Sequence, residues 1–173
     1  MVTVITGGIK SGKTSFGLKF GGRFKNKVYI ATAEGFDNEM KKKIEQHRLE
    51  RGEEWITIEE ALELHNAITL AKEFDLIIID CITLWINNLL YYKKDLTDYL
   101  EKLLYTISEI KNNNLIIITN EVGLGVIPYD KITREYVNFL GIANQKIASI
   151  ADNLILMVSG NPLIIKGDIH YEL

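Results

Sequence analysis

A single cysteine, Cys81, stands in this chain of 173 residues. An internal disulfide is therefore excluded, and the chain suits a reducing compartment. There are only two prolines and no stretch of low complexity. No linker, repeat or second unit is in view, so residues 1–173 are expected to form one domain. Long hydrophobic runs are missing as well. Leu76 to Ile79 and Leu115 to Ile118 fall far short of the roughly 20 residues that cross a bilayer, so no membrane span is expected. Nor is there an excess of basic residues: the formal net charge is −3, without the footprint of a nucleic-acid binder. A strand pattern begins at Val2, which leaves no place for a signal or transit peptide, and the expected location is the cytoplasm. What remains is an ordinary globular composition, 47% hydrophobic and 25% charged, enough for one core.

Against that plain background, residues 7–14 read Gly7-Gly8-Ile9-Lys10-Ser11-Gly12-Lys13-Thr14, a complete G-x-x-x-x-G-K-[ST] phosphate loop. The apolar run Val2–Thr6 precedes it and a helical pattern from Ser15 to Phe20 follows, which is the strand, loop and helix context such a loop needs. Backbone N–H groups from Gly8 to Thr14 are expected to form a nest around a β-phosphate at the helix N-terminus. Lys13 is expected to reach the β- and γ-phosphate oxygens, and the Thr14 hydroxyl to take a place on Mg²⁺. The predicted ligand class is a nucleoside triphosphate.

Apolar, β-branched runs recur at Val2–Thr6, Val28–Thr32, Leu76–Asp80, Leu115–Thr119, Asn153–Val158 and Leu163–Lys166. They are continuous rather than alternating, which predicts strands buried on both faces of a parallel sheet. Helical patterns over 13–24, 37–51, 59–72, 83–91, 95–112 and 130–151 separate them. The expected fold is α/β, a P-loop NTPase of RecA-like arrangement with a mainly parallel, helix-covered sheet. Ser159-Gly160-Asn161-Pro162 between the last two runs predicts a C-terminal edge hairpin.

Further candidates cluster at strand ends. Asp80 closes the third run, where an acidic residue commonly makes the second Mg²⁺ anchor; the competing role is N-cap of the helix near Thr83, for which Asp is also suited. Asn120-Glu121 closes the fourth run ahead of Gly123 and Gly125. Glu121 is placed to position a nucleophile, assist Mg²⁺ or orient a loop, or else to cap a flexible turn. In the segment Asp37–Arg51, Met40, Ile44, His47 and Arg51 share one helix face that starts apolar and becomes ionisable. That pattern makes His47 a candidate nucleophile or acid–base group, and Arg48 and Arg51 candidate phosphate clamps. The pattern alone also fits a packing or surface histidine. His65 and His170 have weaker claims, and Trp55 and Trp85 read as core or substrate-facing aromatics.

These residues form an ordered series with others. After the phosphate loop come Tyr29-Ile30-Ala31-Thr32-Ala33, Asp37-Asn38-Glu39-Met40 with Ile44, His47-Arg48, then Arg51, Trp55, Thr57 and Glu59. Asp80-Cys81-Ile82-Thr83-Leu84-Trp85, Asn88-Leu89-Leu90 and Asn120 through Pro128 follow, then Asn144-Gln145 and Gly160-Asn161-Pro162-Leu163. The series runs over nearly the whole chain. It resembles the bifunctional adenosylcobinamide kinase and adenosylcobinamide-phosphate guanylyltransferase family of cobalamin assembly.

That resemblance implies two reactions at one site. The first would pass the γ-phosphoryl group of ATP or GTP to adenosylcobinamide. The second would join a GMP unit from GTP to adenosylcobinamide phosphate, with GMP held first on His47 and pyrophosphate released. It also implies a nucleotide site that includes Glu59 and Glu121 beside the loop, Mg²⁺ on Thr14 and Asp80, and a homotrimer. Lys10 departs from the family's frequent arginine, Ala61 from a frequent proline, and Ile164-Ile165 from a stretch that often carries an arginine. These departures leave Lys13, His47 and Asp80 untouched. Two alternatives compete: a small-molecule kinase with one activity, and a GTP-dependent switch. The switch expects an Asn-Lys-x-Asp element, and Thr119-Asn120-Glu121-Val122 stands in the comparable place.

Overall fold

Successive side chains of a strand point to opposite faces, so an unbroken apolar run must be covered on both sides. A computed structural model describes residues 1–35, 42, 45, 48–49, 51–52, 54–110 and 113–169. In chain order its elements are β1 (Val2–Gly7), α1 (Lys13–Gly21), β2 (Lys27–Ala31), β3 (Ile56–Glu59), α2 (Leu64–Leu70) and β4 (Leu76–Asp80). They continue with α3 (Ile82–Tyr91), α4 (Leu96–Ser108), β5 (Asn114–Ile118), α5 (Lys131–Ile150), β6 (Asn153–Val158) and β7 (Asn161–Lys166). Lys42, Glu45, Arg48, Leu49 and Arg51 are also helical. Asp37, Met40, Ile44, His47 and His170 lie outside the described residues.

One seven-stranded sheet has the order β3-β2-β4-β5-β1-β6-β7. Every pairing is parallel except that of β6 with β7, which is the expected edge hairpin. Alternate residues of the inner strands feed two cores. Val4, Ile30, Ile77, Ile79 and Ile117 pack with α2 to α5 on one face. Ile5, Tyr29, Ile78, Ile116 and Ile118 pack on the other with Phe16 and Phe20 of α1 and with Trp55. Trp85 belongs to the first core, with its indole N–H donating to the Leu62 carbonyl at 2.7 Å. Both tryptophans are therefore core residues.

Two element assignments are corrected. β3 was not expected, and the helix predicted over 59–72 is confined to Leu64–Leu70. A strand of four residues at the sheet edge, with Ile56 and Glu59 exposed, has no continuous apolar run to reveal it. The helix starts late because the Glu60 carboxylate accepts from the N–H groups of Leu62 and Glu63, both at 2.8 Å, and makes a turn of the predicted first residues. Elsewhere the caps agree with the chemistry. Asp95 accepts from the N–H groups of Thr97 and Asp98 at the start of α4, and Asp130 from that of Thr133 at the start of α5.

Candidate active site

In a parallel sheet the carboxyl ends of all strands face one way, so β1, β2, β4 and β5 deliver their last residues to a common edge. β1 delivers the phosphate loop. Its backbone is set by conformations that only glycine takes without strain: Gly7 has φ +147° and Gly12, the N-cap of α1, φ +94°. A Cβ on Gly7 would lie 2.5 Å from the Met157 carbonyl oxygen of β6. The hairpin turn also braces the loop, since Gly160 N–H donates to Ser11 O at 3.0 Å. The C-terminal hairpin thus shapes the phosphate loop. Gly7→Ala is expected to lower the unfolding free energy by about 3 kcal/mol in urea melts, from backbone strain together with the clash.

Lys13 is 7% exposed, and its ammonium donates to Gly8 O at 2.6 Å, Gly7 O at 3.2 Å and Ser11 Oγ at 3.4 Å. Burial pushes its pKa below the usual lysine range, opposed by negative charge at Cys81 and Asp80. Of these two, Asp80 is the anion that counts near neutral pH, because burial pushes the Cys81 thiol up to about 12. The cation is thus folded along the rim of its own loop. Gly8, Ile9 and Lys10 form the exposed crest of that loop, with Lys10 at φ 56°.

At the end of β4, Asp80 Oδ2 accepts from Thr14 Oγ1 at 2.7 Å and from the Tyr29 hydroxyl at 2.5 Å. Thr14 and Asp80 therefore bring two hard oxygen donors together beside the loop, a donor set that suits Mg²⁺ completed by phosphate oxygens and water. Among the described residues, no group of three or more His, Cys, Asp or Glu forms a self-sufficient metal site. The Asp80 carboxylate does not cap α3: that N-cap is Cys81, without a side-chain cap bond.

β5 delivers Asn120-Glu121. The Glu121 N–H donates to Gly7 O at 3.1 Å, and its carboxylate accepts from Thr6 Oγ1 at 3.0 Å and Asn144 Nδ2 at 3.3 Å. Asn144, buried on α5, also donates to Asn120 O at 3.1 Å and accepts from Thr119 Oγ1 at 2.8 Å. These bonds hold Asn120 and Glu121 against β1 and α5. Thr83 Oγ1 completes the network by accepting from the Asn120 backbone and side-chain N–H groups at 2.9 and 3.0 Å.

Beyond β2 and β3, Arg48 and Glu59 line one cavity of about 540 Å³, together with Glu34, Glu45, Glu60 and Ala61. Arg51 sits elsewhere. It is 8% exposed, and its guanidinium lies over the Tyr29 ring at 4.2 Å and also acts on the Tyr29 hydroxyl. His65 is drawn to Glu63 at 3.5 Å and to the Tyr99 ring, away from the phosphate loop. Sequence reasoning gave no role to Tyr29, Thr83 or Asn144. Their only signal was membership of the ordered series of residues.

A model of the family described as cobinamide kinase / cobinamide phosphate guanyltransferase matches residues 3–165. The bifunctional adenosylcobalamin biosynthesis protein CobP of Pseudomonas aeruginosa is 36% identical, across 97% of this chain and 99% of its own. Its counterpart CobU of Escherichia coli is 30% identical, across 96% and 100%. Among solved structures, a KaiC-like protein from Pyrococcus horikoshii aligns with a TM-score of 0.55 at 16% identity, covering 96% of this chain and 78% of that one. The flagellar accessory protein FlaH from Methanocaldococcus jannaschii aligns at 0.52 and 16%, with the same coverage. These two likenesses speak for the fold alone. The family match spans the loop, the acidic strand end and the closing hairpin alike, and by it this chain belongs to the cobinamide kinase / cobinamide phosphate guanyltransferase family.

Proposed function

We propose that this enzyme phosphorylates adenosylcobinamide with ATP or GTP and then converts the phosphate to adenosylcobinamide-GDP with GTP, in cobalamin biosynthesis. Membership of the family supports both halves. The observation that carries the reading is the juxtaposition of Lys13, Thr14 and Asp80 at one sheet edge, which can hold the phosphates of a triphosphate in either reaction. In the kinase step the corrinoid hydroxyl attacks the γ-phosphorus and the bond to the β-phosphate oxygen breaks. In the transferase step an imidazole nitrogen of His47 attacks the α-phosphorus of GTP and pyrophosphate leaves. The terminal phosphate of the corrinoid then takes the GMP unit and frees the histidine. An unprotonated imidazole is competent for this near pH 7.

The residues fit the roles. Lys13 exchanges its loop carbonyls for β- and γ-phosphate oxygens, and the loop N–H groups from Gly8 to Thr14 take the rest of the charge. Thr14 and Asp80 would hold Mg²⁺, whose charge, when bound, favours departure of the phosphate leaving group. Glu121 keeps the β5 loop against Gly7. Arg48 and Glu59 line one cavity, which supports a role for them in meeting the nucleotide beyond the phosphates. Mass spectrometry of adenosylcobinamide incubated with GTP and Mg²⁺ tests the whole. The expected products are adenosylcobinamide phosphate and then adenosylcobinamide-GDP; the phosphate alone would reduce the enzyme to a kinase.

The assembly we infer is a homotrimer working in the cytoplasm. No described helix is long and apolar enough to cross a membrane. Support for assembly comes from the segment after β5, where Leu124 is 80%, Val126 96%, Ile127 82% and Tyr129 100% exposed. Four exposed apolar side chains within six residues are what an interaction site would present. Light scattering is expected to give about three times the chain mass of 19.7 kDa, and Val126→Glu to shift it toward that single mass. A single-chain mass for the unaltered protein would refute assembly.

A further inference from the structure

Tyr29 is a large polar residue on β2, the second strand from one edge of the sheet; it is 1% exposed, and packing alone does not account for its hydroxyl. On β2 it pairs with Ile78 of β4, while Ala31 pairs with Asp80. Ile78 and Asp80 point to the same face, so Tyr29 and Asp80 are diagonal neighbours, a separation that an aromatic side chain can bridge. The bridge is made, with the hydroxyl donating to Asp80 Oδ2 at 2.5 Å. The same oxygen takes the Thr14 hydroxyl at 2.7 Å, so the carboxylate is held between two donors on different elements. The ring is fixed in turn, with Trp55 meeting it edge-on at a centroid distance of 6.2 Å and the Arg51 guanidinium covering it at 4.2 Å. A phenylalanine would fill the same space without reaching Asp80.

We propose that Tyr29 is a positioning residue for the cation that accompanies the triphosphate: its hydroxyl sets the Asp80 carboxylate against Thr14, and Arg51 and Trp55 set its ring. Tyr29 itself touches neither substrate nor metal. It fixes the rotamer of the carboxylate and occupies one lone pair of Oδ2, which leaves Oδ1 directed by the same constraint. This rests on the reading that Thr14 and Asp80 hold the divalent cation. Partners of this kind, one bond removed from a metal, change metal affinity by about 10- to 100-fold when lost.

Mn²⁺ serves as the probe, titrated by electron paramagnetic resonance into the full chain with a non-hydrolysable GTP analogue, so that no turnover is needed. Tyr29→Phe is expected to raise half-saturating Mn²⁺ about tenfold or more, while analogue affinity in EDTA stays within twofold of the unaltered protein. Arg51→Met, which removes the guanidinium from the ring and from beside the hydroxyl while keeping the hydroxyl's reach to Asp80, is expected to raise it by a smaller factor, at least about twofold. Asp80→Asn is the reference. If that variant binds Mn²⁺ as tightly as the unaltered protein, the cation reading fails and Tyr29 falls with it. If Asp80→Asn weakens Mn²⁺ but Tyr29→Phe changes it less than threefold, the positioning role alone is overturned. Should Tyr29→Phe fail to fold by circular dichroism, Arg51→Met decides, and a change below twofold there overturns the proposal. A residue that only filled the core would move the unfolding midpoint and leave Mn²⁺ binding where it was.

Discussion

Replacing His47 with alanine is expected to lower guanylyl transfer by at least about 10⁴-fold, while phosphorylation of adenosylcobinamide continues within a few-fold of the unaltered rate. The size follows from the role. Without the nucleophile the two-step displacement has no first step, and loss of an attacking group costs orders of magnitude where loss of a binding contact costs about tenfold. The split between reactions carries the information. A kinase with one activity has no use for His47, so its alanine variant would keep every activity it had. A uniform loss of both reactions would instead make His47 a binding residue for the triphosphate. Following both products by chromatography over one time course separates the three outcomes.

The second large effect is at Lys13. Changing it to alanine is expected to slow both reactions by about 10²–10³-fold or more, the range for removing one preorganised donor from a developing charge. Stability should not follow activity down. Because burial lowers the lysine's pKa, its charged form is less favourable in the folded chain than in the unfolded one. At pH values below the lowered pKa that penalty is fully present, so removing the charge there removes a cost. The expected result is an unfolding midpoint equal to or above that of the unaltered protein, with both activities nearly gone. A large drop in midpoint would mean that the bonds to Gly7 and Gly8 carbonyls hold the loop together, and that the lysine is structural first.

How much of this was legible in the chain depends on the range of the interaction. The phosphate loop is a local object, in which a strand, a Gly-rich turn and a helix start are contiguous, so its residues were readable and the structure builds them as expected. Asp80 was readable because it ends a run too apolar to be anything but an inner strand. β3 was not, because an edge strand of four residues is covered on neither face strongly enough to leave an apolar run. Tyr29 could be seen as a strand residue, but its tie to Asp80 depends on the register of β2 against β4, and no single sequence states that register. Asn144 is a similar case: a polar residue inside α5 reads as solvent-facing until the helix is laid across the end of β5. The hairpin Asn153–Lys166 was expected as an edge closure, but its turn also supports the phosphate loop through Gly160 and Ser11. For Tyr29, Asn144 and the hairpin the sequence revealed the element, and the partner came from tertiary structure.

On the function proposed above, two uses of one triphosphate site rest on one residue, His47, that separates them. The direct measurement is to incubate the protein with α-³²P-labelled GTP and Mg²⁺, remove free nucleotide, and treat the labelled chain with acid and with base. About one label per chain is expected, stable in base, lost in acid, and absent from the His47→Ala variant, as a phosphoramidate on that histidine requires. No label on the folded protein at saturating GTP, or a label that persists in the His47→Ala variant, would contradict it.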